Sequence, residues 1–379
     1  MKTIVLSTLL IATGFAMTGC KKGCTDPTAI NYDDKAKKDD SSCKFDESYT
    51  IPSTYSFTNA SGNPTVSYSG QTERLDQLSE MVVLMKTGTS TVLDAQVVKD
   101  MFSNENGNGN GNFSFTSSKQ LKNKCFTADQ GLFETFMDAL ALASVDNAST
   151  AADGQAGTLS SGTSTYLFDA NGVEHVQVIE KGLMGAVFLN QALNSYFGAG
   201  KMDVDNTAAV DASAGKYYTT MEHHFDEAFG YFGVDSNFPT VVPGRFWGKY
   251  CNKQDALLNS NSDMMSNFLK GRAAITGKEL ADRDQAIAAI RNEWETISAY
   301  QAMAYIDGAI ANFGTDDAKF LHELSEAFAF AWNLRYAPVE TRKMSQAEHT
   351  ALMAQFPTNF WSITLVDLNN IKNTIDAKY

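Results

Sequence analysis

Histidine and cysteine are scarce in this chain, five of each in 379 residues. No site built from many histidines is signalled, and neither is a Ser-His-Asp arrangement. No C-x-x-C occurs, so thioredoxin-like chemistry, haem attachment and a four-thiolate zinc site all lack their motif. H-E-x-x-H, G-x-S-x-G and the glycine-rich phosphate loops are missing too. Cationic side chains are outnumbered: 30 Lys and Arg stand against 44 Asp and Glu, a formal charge of −14. Nucleic-acid binding wants clustered Lys and Arg, so nucleic acid is not the expected partner. The same deficit argues against docking the body of the protein on an anionic membrane. The hydrophobic fraction of 43% nevertheless suffices for a large core and excludes a wholly disordered chain.

The longest apolar stretch near the start, Ile4 to Met17, is shorter than the roughly 20 residues that span a bilayer. Lys2 precedes it and Met17-Thr18-Gly19-Cys20 follows it, the pattern of a secretory signal. Its ending resembles a bacterial lipobox, which implies lipidation of Cys20 as the new N-terminus. Ordinary cleavage nearby, leaving Cys20 free, is the alternative. Lys21 and Lys22 follow without an acidic run. The expectation is a cell-envelope protein held by a lipid anchor on the periplasmic face of the outer membrane, with the cell surface as the alternative.

Lipidation of Cys20 leaves Cys24, Cys43, Cys125 and Cys251, an even number in an oxidising compartment. Cys24 and Cys43 bracket a polar segment too poor in apolar residues for a core. A disulfide there would contribute about 3 kcal/mol. Asp26, Asp33, Asp34, Asp39 and Asp40 within it could bind Ca²⁺, but the spacing is not an EF-hand loop. A stapled spacer over 20–48 is the simpler reading. Cys125 and Cys251 are left to pair with each other or to stay as buried thiols.

Beyond the spacer, Thr54 to Thr58 and Pro64 to Tyr68 alternate with period two around Gly62, which predicts a small hairpin. Helical patterns then dominate, over about 172–197, 216–232, 261–276, 280–313 and 315–335. Thr127 to Gln130 and Ser345 to Glu348 have capping-box spacing. Residues 104–112 and 146–165 are rich in Gly, Asn, Ser and Thr and read as flexible loops. The chain is therefore expected to be all-α with a small N-terminal β-hairpin.

Two stretches echo each other. His223-His224-Phe225-Asp226-Glu227-Ala228-Phe229 aligns with His322-Glu323-Leu324-Ser325-Glu326-Ala327-Phe328. Each follows a helix ending in Phe-Gly, at Phe197-Gly198 and Phe313-Gly314. Two pseudo-duplicated helical hairpins are implied. His224 and Glu227 are three apart and His223 and Glu227 four apart; either spacing shares a helix face, so a histidine and a carboxylate there could both ligate one transition metal. They could equally form a charged hydrogen bond in a buried polar layer. Glu323 and Glu326 occupy the matching places in the second copy. Upstream, Glu174, Gln177 and Lys181 recur at helical steps: either Lys181 finds a carboxylate in the same layer, or the row is a solvated face. Gly182 and Gly185 would let a neighbouring helix approach. Arg245-Phe246-Trp247-Gly248-Lys249-Tyr250 reads as a loop packed over the bundle.

Gly70-Gln71-Thr72-Glu73-Arg74-Leu75-Asp76, Lys181-Gly182-Leu183-Met184-Gly185-Ala186, Arg245 to Tyr250 and Gly271-Arg272-Ala273-Ala274-Ile275 resemble the bacterial lipoprotein family called domain of unknown function 4856. The resemblance runs from about Tyr49 to the C-terminus and brings no activity with it. More distantly, His224 to Gly233 is similar to the G-x-H-x-x-E signature of imelysin-like proteins, with Glu222 in place of the leading Gly. That likeness implies two related helical bundles over 49–379 and an association with iron. The resulting expectation is an envelope protein binding iron or another metal in a cleft between the two hairpins. His224, Glu227, Glu323 and Glu326 would be the ligands. A non-catalytic protein that holds another envelope protein is the alternative, and a metal-dependent hydrolase stands third.

Overall fold

A computed structural model describes residues 21–26, 29, 31–44 and 49–379. The expected signal peptide and Cys20 lie outside these residues. The chain divides into two compact units, Met1–Thr50 and Ile51–Tyr379. Among the described residues no helix is long and apolar enough to cross a membrane.

In the first unit Cys24 and Cys43 form the expected disulfide. The segment between them is organised by local polar bonds. Asn31 Nδ2 donates to the carbonyl of Ser42 at 2.6 Å, and Asn31 Oδ1 accepts from the N–H of Lys44 at 2.5 Å. Asp33 is held by Lys21 at 2.5 Å, while Asp39 and Asp40 each accept the backbone N–H two residues on. These aspartates serve turns rather than a shared centre.

The second unit is helical. Its main elements are α1 (Ser69–Lys86), α2 (Ala95–Ser103), α3 (Gln130–Ser144), α4 (His175–Leu183), α5 (Ala199–Met202) and α6 (Thr220–Phe232), then α7 (Phe246–Leu258), α8 (Ser260–Gly277), α9 (Leu280–Asn312), α10 (Asp317–Asn333), α11 (Gln346–Met353) and α12 (Leu365–Asp376). The long α9 packs between α8 and α10, and α10 packs in turn on α4. Trp294, Ile297, Ile290 and Ala302 of α9 are fully buried in that layer.

Several helix starts follow their sequence signals. Thr219 and Glu222 close a capping box on α6, Ser345 and Glu348 do so on α11, and Asp316 caps α10. Thr127 does not: a 3₁₀ turn over Thr127–Asp129 intervenes, and α3 begins at Gln130 without a side-chain cap. Arg245 to Tyr250 is not a loop but the entry to α7, with Trp247 fully buried.

The hairpin sits elsewhere than expected. Around residues 54–68 only a single bridge forms, between Thr58 and Pro64. Tyr55 and Phe57 are instead buried in packing, Tyr55 stacked on Phe229 with centroids 3.6 Å apart. The two strands are β1 (Gly157–Ser161) and β2 (Ser164–Phe168), antiparallel in register Gly157 to Phe168; β1 lies inside the stretch read as a flexible loop and β2 runs past its end. Leu167 and Phe168 of β2 are buried, which fixes the hairpin onto the helices.

The segment 175–197 is one helical rod with a changed interior. After α4 it passes through two π-helical stretches, Met184–Leu189 and Gln191–Tyr196. Side chains from neighbouring helices take carbonyls there: Asn333 Nδ2 donates to Lys181 O at 2.8 Å, and Trp247 Nε1 to Met184 O at 2.9 Å. Gly185 permits the contact, since a Cβ at that position would lie 2.0 Å from Asn333 Oδ1. Gly182 faces Phe133 in the same way. Cys125 and Cys251 are separate buried thiols. Burial pushes both up, Cys251 to about 12, which makes them poor nucleophiles.

Arg272 of α8 is fully buried and binds four groups. Its Nε reaches Asp226 at 2.9 Å, Nη1 reaches Glu222 at 2.8 Å and Thr276 at 2.7 Å, and Nη2 donates to Thr65 O at 3.0 Å. Removing one member of a buried charge network leaves the rest unpaired in low dielectric, at about 3–5 kcal/mol. Arg272→Met should therefore lower unfolding stability by about that much in urea titrations. Lys372→Ala, which breaks the exposed pair with Asp307, should cost less than about 1 kcal/mol. Equal losses in the two variants would refute the central role given to Arg272.

Candidate functional site

The two echoed frames each build a cavity. The capped start of α6 sets the rotation of that helix, so Glu222 and Asp226 face Arg272 while His223 and Glu227, one position on, face a different neighbour. On α10 the matching pair is His322 and Glu326.

The cavity beside α10 has a volume of 500 Å³. His322 Nδ1 is 2.6 Å from Glu174 Oε2, and its Nε2 is 3.5 Å from Glu326. Tyr166 of β2 stacks on the imidazole at 4.3 Å. Lys181, almost fully buried, lies 2.9 Å from Glu180 and 3.3 Å from Glu326, which is the carboxylate partner expected for it. Gln177 donates to Glu174 at 3.2 Å, and its buried Oε1 has no partner. Glu323 is held by Lys319 at 2.6 Å. Lys249 and Lys253 of α7 also line this space.

The second cavity, beside α6, has a volume of 440 Å³. Its histidine is His223, whose Nδ1 is 3.0 Å from the carbonyl of Ser67. Tyr218 stacks on that ring at 4.6 Å, as Tyr166 does on His322. Glu227 accepts from Gln71 at 3.0 Å and from Tyr196 at 3.1 Å, and is 3.0 Å from His224 Nδ1. Gln71 lies three residues after Tyr68, the residue that precedes α1, as Gln177 lies three after Glu174, the residue that precedes α4. The correspondence is thus a stacked His, a Glu four residues on, and a Gln in the first turn of a neighbouring helix.

Charge interactions in both cavities are strong. Burial opposes ionisation of Glu227, but His224, His223, Gln71 and Tyr196 together hold its carboxyl below the ordinary range. Burial likewise works against Glu326, and Lys181 and His322 override it. For His322 burial would favour the neutral ring, yet the bond and charge of Glu174, with Glu326, hold its pKa above the ordinary value despite opposition from Lys319. His223 lacks so close a carboxylate, and burial lowers it.

The four residues expected to share a metal do not meet in one cleft. His224 and Glu227 belong to the α6 side, and Glu323 and Glu326 line the α10 cavity. Among the described residues no group of three or more His, Cys, Asp or Glu side chains is arranged to hold a metal ion. The residue that lines the α6 cavity is His223, whereas His224 reaches it only through Glu227. Sequence reasoning missed Arg74, Lys119, Lys124, Tyr218 and Lys216 altogether. Gln71 and Arg74 carry a local signal, a polar pair three apart on one helix face. Lys119 and Lys124 come from the connection between α2 and α3, Lys216 from the one before α6, and they carry none.

A family model described as "Domain of unknown function (DUF4856)" matches residues 52–379. The chain belongs to this family. The match takes in every residue of both cavities. No curated protein and no solved structure matches the chain.

The bond pattern of His322 has a pH consequence. A histidine whose folded pKa is raised contributes stability that is fully present below its unfolded value, near 6.5, and lost as pH rises through the folded value. His322→Gln should therefore cost more stability at about pH 5.5 than at about pH 9. Denaturant titrations at both pH values measure this, and an equal cost at each would show that Glu174 does not hold the charged ring.

Proposed function

We propose that this chain is a lipid-anchored protein of the bacterial cell envelope whose helical body is a non-catalytic binding protein, with its two related cavities as ligand sites. The carrying observation is that both cavities are built on one frame of stacked histidine, glutamate and glutamine. Their volumes of 500 and 440 Å³ suit small polar molecules. Binding rather than catalysis is supported by the partners of the histidines. His322 is tied to Glu174 and His223 to a backbone carbonyl, so neither is paired with a hydroxyl or thiol that it could activate.

A resident iron or other metal does not fit the side chains as they stand. His224 and Glu227 supply one nitrogen and one carboxylate, and they are bonded to each other. Both Glu227 oxygens already accept hydrogen bonds, Oε1 from Gln71 and Tyr196. A third protein ligand is lacking among the described residues. The lipid anchor is supported by the lipobox-like Met17-Thr18-Gly19-Cys20 and by the disulfide-stapled segment after it.

Two measurements test this reading. Wild-type protein should fractionate with membranes, and Cys20→Ser should release it. A soluble wild type with an unmodified N-terminus would remove the anchor from the proposal. Fe²⁺, Fe³⁺ and Zn²⁺ should leave the melting temperature unchanged. A metal-dependent rise that both His224→Ala and Glu227→Ala abolish, with helical content retained, would replace this proposal with a metal-binding function.

A further inference from the structure

The two cavities share a frame but not a charge balance. In the α10 cavity five lysines stand among four glutamates, and Lys181 and Lys319 are ion-paired. In the α6 cavity Arg74, Lys119, Lys124 and Lys216 surround a single carboxylate, Glu227. That carboxylate is bound by His224, Gln71 and Tyr196 rather than by any of the four cations. Among the described residues none of these four cations forms an ion pair. This is a local excess of positive charge in a protein of net charge −14.

Arg74 is 5% exposed, and a buried guanidinium without a carboxylate is costly unless something else meets its charge. Its Nε donates to the carbonyl of Gln120 and its Nη1 to that of Gly70, both at 3.0 Å, so two backbone dipoles orient it while its charge stays unmatched. Lys124 is half-buried, and burial together with Arg74, Lys201 and Lys119 lowers its pKa, with Glu227 acting the other way. The cavity also contains the start of α1. Ser67 to Gln71 line it, no side chain caps that helix, and its first turn has no acidic residue. Uncapped N–H groups and the helix dipole favour an anion at that end. Gly70 leaves the room that Lys119 occupies, because a Cβ there would lie 2.8 Å from Lys119 Cε.

We infer that the α6 cavity binds a small, soluble oxyanion carrying two or more negative charges, of the phosphate or polycarboxylate class, held by Arg74, Lys119, Lys124, Lys216 and the N-terminus of α1. The inference rests on the binding-protein reading and specifies the ligand class of one of its two sites. The volume of 440 Å³ accommodates a small organic anion rather than a polymer. Tyr68, Tyr196 and Tyr218 supply hydroxyl and ring surface for the uncharged part of such a ligand. The α10 cavity, with its lysines largely balanced by glutamates, provides an internal comparison.

The test uses the full chain with Cys20→Ser, titrated with inorganic phosphate and separately with citrate. Sodium chloride at matched ionic strength is the control. At least one anion should raise the melting temperature saturably, and calorimetry should give one site per chain. Lys124→Gln with Lys216→Gln changes two partly exposed groups and should keep the helical spectrum while weakening the anion about tenfold or more. Lys372→Gln, which breaks the exposed pair with Asp307 outside both cavities, should bind as the parent does. No saturable effect from either anion overturns the inference. So does an equal loss in Lys372→Gln, which would place the anion elsewhere. Co-sedimentation with phosphatidylglycerol vesicles that the double variant loses would reassign the charge to a lipid headgroup and overturn the soluble class. If anions fail while metals also leave the melting temperature unchanged, only this inference falls and the binding-protein reading stands.

Discussion

The fold of the helical unit turns on one buried cation. Arg272 brings a full charge into a site with no measurable exposure, and only a complete set of partners makes that tolerable. Those partners come from three places: Glu222 and Asp226 on α6, Thr276 on α8 itself, and Thr65 in the extended chain before α1. Asp226 passes the constraint on, accepting from Tyr55 at 2.9 Å and from the N–H of Ser67 at 3.2 Å. The network thus fixes the rotation of α6 and the path of the chain into α1 together. Both matter for the α6 cavity, because Ser67 to Gln71 form one wall and His223 with Glu227 form another. Glu222 and Asp226 are four apart, as are His223 and Glu227, so two adjacent rows of one helix divide the structural charges from the cavity charges.

What the sequence discloses follows the range of the interactions involved. Long helices are legible because their apolar period is local, and α8, α9 and α10 fall within a few residues of the expected spans. The echoed frame was legible for the same reason. The hairpin was misplaced because alternation around Tyr55 and Phe57 reflects burial against Phe229 and the Arg272 guanidinium, not strand pairing. The real strands are rich in Ser and Thr, and they gain their anchorage from Leu167 and Phe168 packing on helices far away in sequence. The expected box at Thr127 yielded to a 3₁₀ turn whose Phe126 N–H is bonded to Ala186 O, a tertiary contact no local pattern announces. Cavity charge was hidden most completely. Lys119, Lys124 and Lys216 lie in connections, and only the fold makes them neighbours of Arg74.

The echoed frame explains why the two cavities look alike although their charges differ. A repeated helix preserves what lies at fixed spacing within it, here the histidine and the glutamate four residues later. It does not preserve what the rest of the chain supplies. The α10 copy receives Glu174, Glu180 and Lys181 from a neighbouring helix, so opposite charges meet and are satisfied. The α6 copy receives cations from connections and a bare helix start. Divergence between the sites therefore lies in their electrostatics, with the backbone frame held in common.

The rod of residues 175–197 serves both sites, and its π-helical interior is what allows it to. Its first end presents Glu174, Gln177 and Lys181 towards α10, and its far end presents Tyr196 to Glu227 on α6. A π-helical turn holds an extra residue relative to α-helical register, which rotates everything after it by roughly 100° about the axis. That rotation decides which neighbour the far end faces. The irregularity leaves carbonyls in need of donors, and Asn333 and Trp247 supply them from α10 and α7. Gly185 is then required as glycine by contact rather than by backbone angle, since any side chain would displace Asn333. The motif Lys181-Gly182-Leu183-Met184-Gly185 is thus one structural device: a buried cation for one cavity, and a helix irregularity that aims a tyrosine at the other.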